Sequence, residues 1–492
     1  MNVATCLNHV EPHWVELPAL MDEHGHVMKR GALQSLVMSM VQHLVQAGVK
    51  RGDLVGLATL GHDQYIITTL AIAALGAVSM PLPKLPHLEQ KMTGHCRFVI
   101  GRLANSDPKD DATHLDFPNA EALANPPAVE SVKLFDEAGL FRISHSSGTT
   151  GTPKAVAISH EEQTQRLRQR SLVMPIQPGQ SLLLMMGLDA EVTMTYVLYV
   201  LARGGALIIP GGNGGAELLR TLENASPNYV LSSPHIWAGV VQAASERHYT
   251  PNESKPVIFL AGGKPDEATV TGSVNHFNAI LMSDYGSSET GMLSVNRFEK
   301  MDKAWSYAGK LLPGVQCDAL DPETYAALPK GKVGILSFKV PGMVSHYWNA
   351  PEYDRRFFHG GWFSTGDLGC VDEKGFLFVG VRVSRIVNRK GVKFDLDMLE
   401  KFLTQLPYIK ENAWIKIEQI GVEKLILFVV IDQSSNSAKE SKTHIKQALG
   451  ERYAPDQMVF IEKLPRTGSG KINRDRLLEL MQSSTSAAEK LN

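Results

Sequence analysis

The sequence predicts an α/β protein with a large layered N-terminal domain of mixed sheets and helices, followed by a small α+β C-terminal domain. Three observations carry this. Helical and strand patterns alternate through roughly the first 380 residues, as layered α/β architecture requires. The last 110 residues or so form a separate unit with its own apolar pattern. A chain of 492 residues that is 43% hydrophobic and 20% charged has the composition of a globular protein and can bury a sizeable core.

The elements follow in order. Leu33, Leu36, Val37, Met40, Val41 and Leu44 recur at helical spacing, with Gly48 as a stop. Asp53 to Ala58 reads as a buried strand, a second helix runs from about Gln64 to Leu75, and a short strand ends at Pro81-Leu-Pro83. Further strands are expected at Ala206 to Pro210, Tyr229 to Leu231, Val257 to Leu260, Ile280 to Ser283 and Phe376 to Gly380. In the terminal unit, Ala413 to Ile417 and Leu425 to Asp432 read as strands and Lys439 to Leu449 as a helix. These patterns divide the chain into an N-terminal domain 1–381, a junction 382–384 and a C-terminal domain 385–492.

Charge and cysteine usage exclude several classes. With 49 basic and 51 acidic residues the formal net charge is -2, so bulk composition gives no support for nucleic acid as a partner. Cys6, Cys96, Cys317 and Cys370 are far apart and form no CxxC pair, which argues against a disulfide framework or a zinc site. The first 23 residues are too polar for a signal peptide. The most apolar stretch, Val192 to Pro210, is broken by Arg203, Gly204 and Gly205, where a membrane span needs about 20 apolar residues. A cytoplasmic location is expected.

Four segments carry chemistry. Ser146-Ser-Gly-Thr-Thr-Gly-Thr-Pro-Lys154 packs hydroxyls, glycines and a terminal lysine into a tight turn. Glycines let backbone N–H groups approach phosphate oxygens, hydroxyls add donors, and the lysine adds a cation. It is not a Walker A loop, since GK[ST] is absent. In Tyr285-Gly-Ser-Ser-Glu289 an aromatic can stack on a purine, Gly286 permits close backbone approach, and a carboxylate can hold Mg²⁺ against phosphate. A turn after a strand would look much the same. Trp362-Phe-Ser-Thr-Gly-Asp367-Leu-Gly offers an aspartate that can accept from the vicinal hydroxyls of a ribose, or simply an Asp-containing turn. Leu464-Pro-Arg-Thr-Gly-Ser-Gly-Lys471-Ile-Asn-Arg474 places a lysine on a glycine-flanked loop, where it can meet charge developing in an in-line displacement. Composition alone would make it a basic linker.

In their order and spacing these segments resemble the signatures of the adenylate-forming superfamily, which contains acyl-CoA synthetases, adenylation domains of peptide synthetases and luciferase. The resemblance spans about Gly31 to Leu478. It implies that the loop with Ser147, Gly148, Thr149, Thr150, Gly151 and Lys154 grips the β- and γ-phosphates of ATP, that Tyr285 packs on adenine, and that Gly286 belongs to the same nucleotide site. It gives Ser288 to the α-phosphate, Glu289 to the metal, Asp367 and Arg382 to the ribose, and Lys471 to catalysis of adenylation, with Lys154, Ser288 and Glu289 beside it. It further implies that the C-terminal domain is mobile and swings about the junction. Ala155, Val381 and Ser384 depart from the family pattern, Ser384 at the position of a hinge Asp or Lys.

The resemblance places Met186, Asp189, Trp237, Gly262 and Gly263 at the acyl pocket, whose methionines suit a medium-sized acyl or aryl acid. Asp189 lies near the position that holds an α-ammonium in amino-acid-activating members, so an amino acid remains a rival. Arg385, Arg389, Lys390 and Lys393 cluster around Gly391, either to meet phosphates of an acceptor or as a solvated basic face. The implied activity is an ATP- and Mg²⁺-dependent carboxylic acid ligase that passes its acyl group to the thiol of CoA or a phosphopantetheinyl carrier protein. The alternatives are a stand-alone amino-acid adenylation enzyme and a non-catalytic nucleotide-binding relative. The retained Lys154, Glu289, Asp367, Arg382 and Lys471 argue against the last.

Overall fold

Strand Leu54–Leu57, nearly continuous in apolar residues, is buried in the middle of a sheet, as a strand covered on both faces must be. The computed structural model of the chain describes residues 2–7, 12–83, 86–103, 111–128, 139–146, 154–249, 255–298, 307–389, 392–419, 422–432, 438–467 and 470–489. Around that strand a six-stranded sheet runs in the order Thr113–Leu115, Phe98–Ile100, Leu54–Leu57, Val78–Pro81, Leu140–Ser146, Lys154–Ser159. Its neighbours are parallel except the last two, an antiparallel pair whose register sets Ser146 opposite Lys154. Lys154 thus opens the strand paired with Leu140–Ser146, and residues 147–153 between the two strands lie outside the described residues. Helix Arg30–Gln46 buries Leu33, Val37, Met40, Val41 and Leu44, and Gly48 beyond it adopts φ +87°, a left-handed conformation that glycine takes at no steric cost.

A second, larger sheet is half parallel and half antiparallel. Its parallel strands run Pro18–Asp22, Ala206–Ile209, Ser181–Leu184, Tyr229–Ser232, Val257–Leu260, Ile280–Ser287. Beyond them lie Gly291–Phe298, Gly309–Leu311, Phe376–Arg382, Trp362–Val371, Gly334–Lys339 and Gln316–Leu320, all antiparallel to their neighbours. The change of direction falls at Ile280–Ser287. In open α/β sheets ligands bind outside the carboxyl ends of parallel strands. Here those ends release Ser233–Trp237, Ala261–Lys264 and Tyr285–Glu289 side by side.

The C-terminal unit has its own core of Leu396, Leu399, Leu403, Trp414, Leu425, Leu427, Val429 and Ile445. Hairpin Ile386–Arg389/Val392–Asp395 leads into helix Leu396–Thr404. Strands Ile409–Gln419 and Val422–Ile431 then pair antiparallel, with Gln457–Phe460 alongside, between helices Ala438–Tyr453 and Arg474–Glu489. Arg382 ends a strand of the large sheet and pairs with Asp367 across it. Three residues on, buried Arg385 donates to Asp397 at 2.7 Å, Glu400 at 2.5 Å and the carbonyl of Trp414 at 2.8 Å. The chain passes from one core to the other within Val383 and Ser384. Arg389 likewise reaches Asp456 and the carbonyl of Ala454. Arg385 is therefore a buried structural residue and no part of a solvated face, which corrects the reading of the cluster for it, whereas Arg389 is paired but keeps part of its surface exposed; Lys390 and the side chain of Lys393 lie outside the described residues.

Trp237 also requires correction. It lies on the inward face of helix Pro234–Glu246, fully buried, with its indole N–H donating to Ser273 Oγ at 2.7 Å and its ring 5.0 Å from Phe277. It joins that helix to Glu267–Phe277 as part of a packed core. Among the described residues, Cys96, Cys317 and Cys370 form no disulfide, and no helix is long and apolar enough to cross a membrane. Trp237→Ala is expected to destabilise the chain by about 3–5 kcal/mol, through a core cavity and the lost indole hydrogen bond to Ser273. A lowered denaturant midpoint would show it.

Candidate functional site

Asp367 stands at the centre of the site. Its buried carboxylate accepts from Tyr285 Oη at 2.6 Å and from Arg382 Nε at 2.6 Å and Nη2 at 3.3 Å. Arg382 sits opposite it in register, so sheet geometry alone brings the pair together. The carboxylate beside it and the loss of water both raise the Tyr285 pKa far above the ordinary range, burial first, so its hydroxyl stays a donor. The Tyr285 ring packs 6.1 Å from Phe338. Gly286 is needed here because a Cβ would lie 2.1 Å from the carbonyl oxygen of Gly291; the close backbone approach is to the next strand.

Glu289 is also buried, and its Oε1 accepts from the Tyr347 hydroxyl at 2.8 Å. Lys154 lies within a box of rings, its Nζ 3.9 Å from the centre of Phe357, 4.7 Å from Tyr353 and 5.3 Å from Tyr347. Each such contact is worth about 0.5–1 kcal/mol, more when water is excluded. Burial lowers the Lys154 pKa; Glu289 opposes this, and Arg356 and Arg382 reinforce it.

Lys471 completes the site from the C-terminal unit. It sits on a tight hairpin in which Gly470 N–H donates to Thr467 O and Thr467 N–H to Lys471 O, each at 2.8 Å. Gly470 has φ +78°, and a Cβ there would lie 2.5 Å from Ser233 Oγ, so the hairpin rests on the start of helix Pro234–Glu246. Lys471 reaches over Gly262, where an added Cβ would stand 3.2 Å from its Cε. Taken as a whole residue, Lys471 is exposed. The surrounding walls nevertheless lower its pKa from the ordinary 10.5, assisted by Arg382 and opposed by Glu289, Asp367 and Asp284. Five widely separated segments thus place Lys154, Glu289, Asp367, Arg382 and Lys471 within one field, three cations around two carboxylates.

Sequence reasoning missed what holds this in place. Helix His160–Ser171 buries Gln163, Arg166, Gln169 and Arg170 on its inward face. Arg166 donates to the carbonyls of Ser288 at 2.9 Å, Glu289 at 3.2 Å and Gly342 at 2.9 Å, and lies 3.4 Å from Glu191. Arg170 pairs with Asp284 at 3.0 Å and Tyr196 Oη at 2.8 Å. A search for apolar periodicity passes over such a face; the one visible signal was a helix too polar to pack conventionally. Ser288 is half-buried on the held turn. Met186 is buried in the main core, Asp189 is exposed with its carbonyl held by Arg142, and Gly262 and Gly263 are exposed at the cleft. Ser147, Gly148, Thr149, Thr150 and Gly151 lie outside the described residues.

The residues present suit Mg²⁺ of one particular kind. No group of three or more His, Cys, Asp or Glu converges among the described residues, which excludes an all-protein cage there. A single buried carboxylate, with one oxygen already occupied by Tyr347, matches a magnesium held mainly by substrate phosphates and water.

Comparison with known proteins places the chain in a family. Residues 12–348 match the AMP-binding enzyme family and residues 398–471 its C-terminal domain. Acetyl-coenzyme A synthetase of Bacillus subtilis (strain 168) is 27% identical over 431 residues, covering 83% of this chain and 71% of that protein. Feruloyl-CoA synthase of Amycolatopsis sp is 24% identical over 486 residues, covering 93% and 96%. The fold is similar to ATP-bound MatB from Rhodopseudomonas palustris, with TM-score 0.80 and 22% identity over 97% of this chain and 98% of that one; apo MatB gives 0.70. This chain belongs to the AMP-binding enzyme family.

Because Asp367 raises the Lys471 pKa, Asp367→Asn is expected to lower it further. Acylation of Lys471 by an amine reagent, followed by mass spectrometry across pH, should move to lower pH in the variant.

Proposed function

We propose that this AMP-binding enzyme is an ATP-dependent carboxylic acid ligase that forms an acyl-adenylate and transfers the acyl group to a thiol. The observation that carries the reading is Lys471, held by the C-terminal unit beside Glu289, Asp367 and Arg382. In the first half-reaction a carboxylate oxygen of the acid attacks the α-phosphorus of ATP, the bond to the bridging oxygen breaks, and pyrophosphate leaves. Such displacements need positioning and charge neutralisation more than a protein nucleophile. Lys471 stabilises charge on the attacking carboxylate and α-phosphate, Lys154 and the 147–151 loop hold the outgoing phosphates, and Ser288 adds a donor at the α-phosphate. Asp367 has one donor on Oδ1 and two on Oδ2, which leaves capacity for a ribose hydroxyl on Oδ1, with Arg382 beside it. Glu289 would hold Mg²⁺, which supplies neutralisation of the phosphate oxygens.

In the second half-reaction the thiol sulfur attacks the acyl carbon, the carbon–oxygen bond of the mixed anhydride breaks, AMP departs and the thiol proton passes to water. Lys471 has no part in that step and must give way. The anchors at Arg382 and Arg385 leave Val383 and Ser384 to absorb the rotation of residues 385–492 against 1–381. The arrangement described is the adenylation arrangement, a reading supported by the greater likeness to ATP-bound than to apo MatB. We take CoA as the acceptor, in keeping with the relatives' names, a medium-sized acyl or aryl acid as substrate, and the cytoplasm as the location. Gly262 and Gly263 leave room beside Lys471 for the carboxylate end.

Lys471→Ala is expected to slow adenylation by about 10²–10³-fold, the loss seen when one transition-state donor is removed. Thioester formation from a pre-made acyl-adenylate should change little. Equal loss in both half-reactions, measured in single turnovers, would contradict the reading. The pH profile gives a second check. Lys471 acts protonated and its pKa is lowered, so adenylation should fall as pH rises through a value below 10.5. The thiol step should lack that alkaline limb.

A further inference from the structure

Residues 343–357 make two contacts that the adenylation chemistry itself does not require. Tyr347 is 2% exposed, yet its hydroxyl turns to Oε1 of Glu289 at 2.8 Å. The same ring is one wall of the box around Lys154, with Tyr353 and Phe357 of helix Pro351–Phe357 as the others. One side chain therefore touches both the metal-holding carboxylate and the phosphate-loop lysine. Its backbone is pinned on every side. Val344 N–H donates to Glu289 O at 2.9 Å, Trp348 N–H to Ala155 O at 2.8 Å, and Tyr347 N–H to Asp354 Oδ1 at 2.7 Å. Tyr347 cannot shift without moving the Glu289 turn or the strand Lys154–Ser159.

We propose, on the basis of the ligase reading above, that Tyr347 is a positioning residue that keeps Glu289 and Lys154 apart and aimed for magnesium and nucleotide. A glutamate carboxylate rotates readily about its last torsion. With both oxygens free it can turn to an adjacent ammonium and neutralise it. The Tyr347 hydroxyl fixes Oε1, so Oε2 is the oxygen presented to a metal whose octahedral geometry tolerates little error. The three rings attract the Lys154 ammonium without supplying a competing anion. The lysine is thus held in waiting until phosphate oxygens draw it out. Both halves of the device meet in one residue that lies far in sequence from Lys154 and Glu289.

Tyr347→Phe keeps the ring and removes only the hydroxyl. Calorimetric titration of the full chain with ATP, over a range of Mg²⁺ concentrations, reads the metal and nucleotide separately. The Mg²⁺ concentration for half-maximal gain in ATP affinity is expected to rise about tenfold, the size of one hydrogen bond to a charged group, while affinity without metal stays within about twofold. In a Glu289→Gln background the second substitution should add nothing, because Tyr347 acts through that carboxylate. An unchanged Mg²⁺ midpoint, an equal effect in both backgrounds, or an unfolded Tyr347→Phe chain would each overturn the proposal. Tyr353→Leu opens the box, so acylation of Lys154 in nucleotide-free protein should speed up several-fold; unchanged labelling would remove the lysine half. Wild-type protein that binds no ATP would sink the ligase reading itself. Binding that is indifferent to Tyr347→Phe would sink only this inference.

Discussion

The geometry of the site depends on buried guanidinium groups that have to be satisfied where they stand. Arg142, Arg166 and Arg170 are all at most 4% exposed in their side chains, and Glu191 and Asp284 are the carboxylates within ion-pair reach of them. Placing a charge in the interior costs several kcal/mol unless it is paired and hydrogen-bonded, so neither partner can drift alone. Arg166 meets that requirement with the backbone of Ser288 and Glu289, and Arg170 with Asp284, one residue before Tyr285. The turn that carries Tyr285, Ser288 and Glu289 is thus fastened at both ends to one helix. That helix follows directly on the strand that begins with Lys154.

From this fixed turn the rest of the site is reached by sheet registers and one short connection between the two cores. Strand pairing delivers Asp367 to Arg382, and their ion pair closes the large sheet just before the chain leaves it. Arg385 then belongs to the second core through Asp397 and Glu400. Val383 and Ser384 lie between the last ion pair of one core and the first of the other, so under the proposed swing of the C-terminal unit Lys471 would move while Asp367, Glu289 and Lys154 stay where they are. A stable half-site and a removable lysine suit a protein that runs two reactions in one place.

Much of this was legible in the sequence, for identifiable reasons. Strands such as Val257–Leu260 announce themselves because both faces are buried and both are apolar. Segments such as Tyr285–Glu289 and Leu464–Arg474 stand out because glycines and charges in that order serve few structural ends. What stayed hidden depends on tertiary partners. Arg166 and Arg170 look like solvent-facing residues on a polar helix, and only the position of Glu191, Asp284 and the Ser288 carbonyl shows otherwise. Tyr347 sits in no recognised segment, and its part appears only with Glu289 and Lys154 on either side. Trp237 suited an apolar pocket and an apolar core equally well, and Ser273 on the neighbouring helix decides for the core. Arg385 and Arg389 read as a basic patch until their acidic partners are brought in by folding.

The central claim is that Glu289, Asp367, Arg382, Lys154 and Lys471 together join a carboxylic acid to AMP. Exchange of labelled pyrophosphate into ATP in the presence of Mg²⁺, scanned across aliphatic, aryl and amino acids, tests it most directly. The account expects exchange that depends on the added acid and is strongest with one medium-sized aliphatic or aryl member of the panel. Silence with every acid, from protein that is folded and binds ATP, would contradict it.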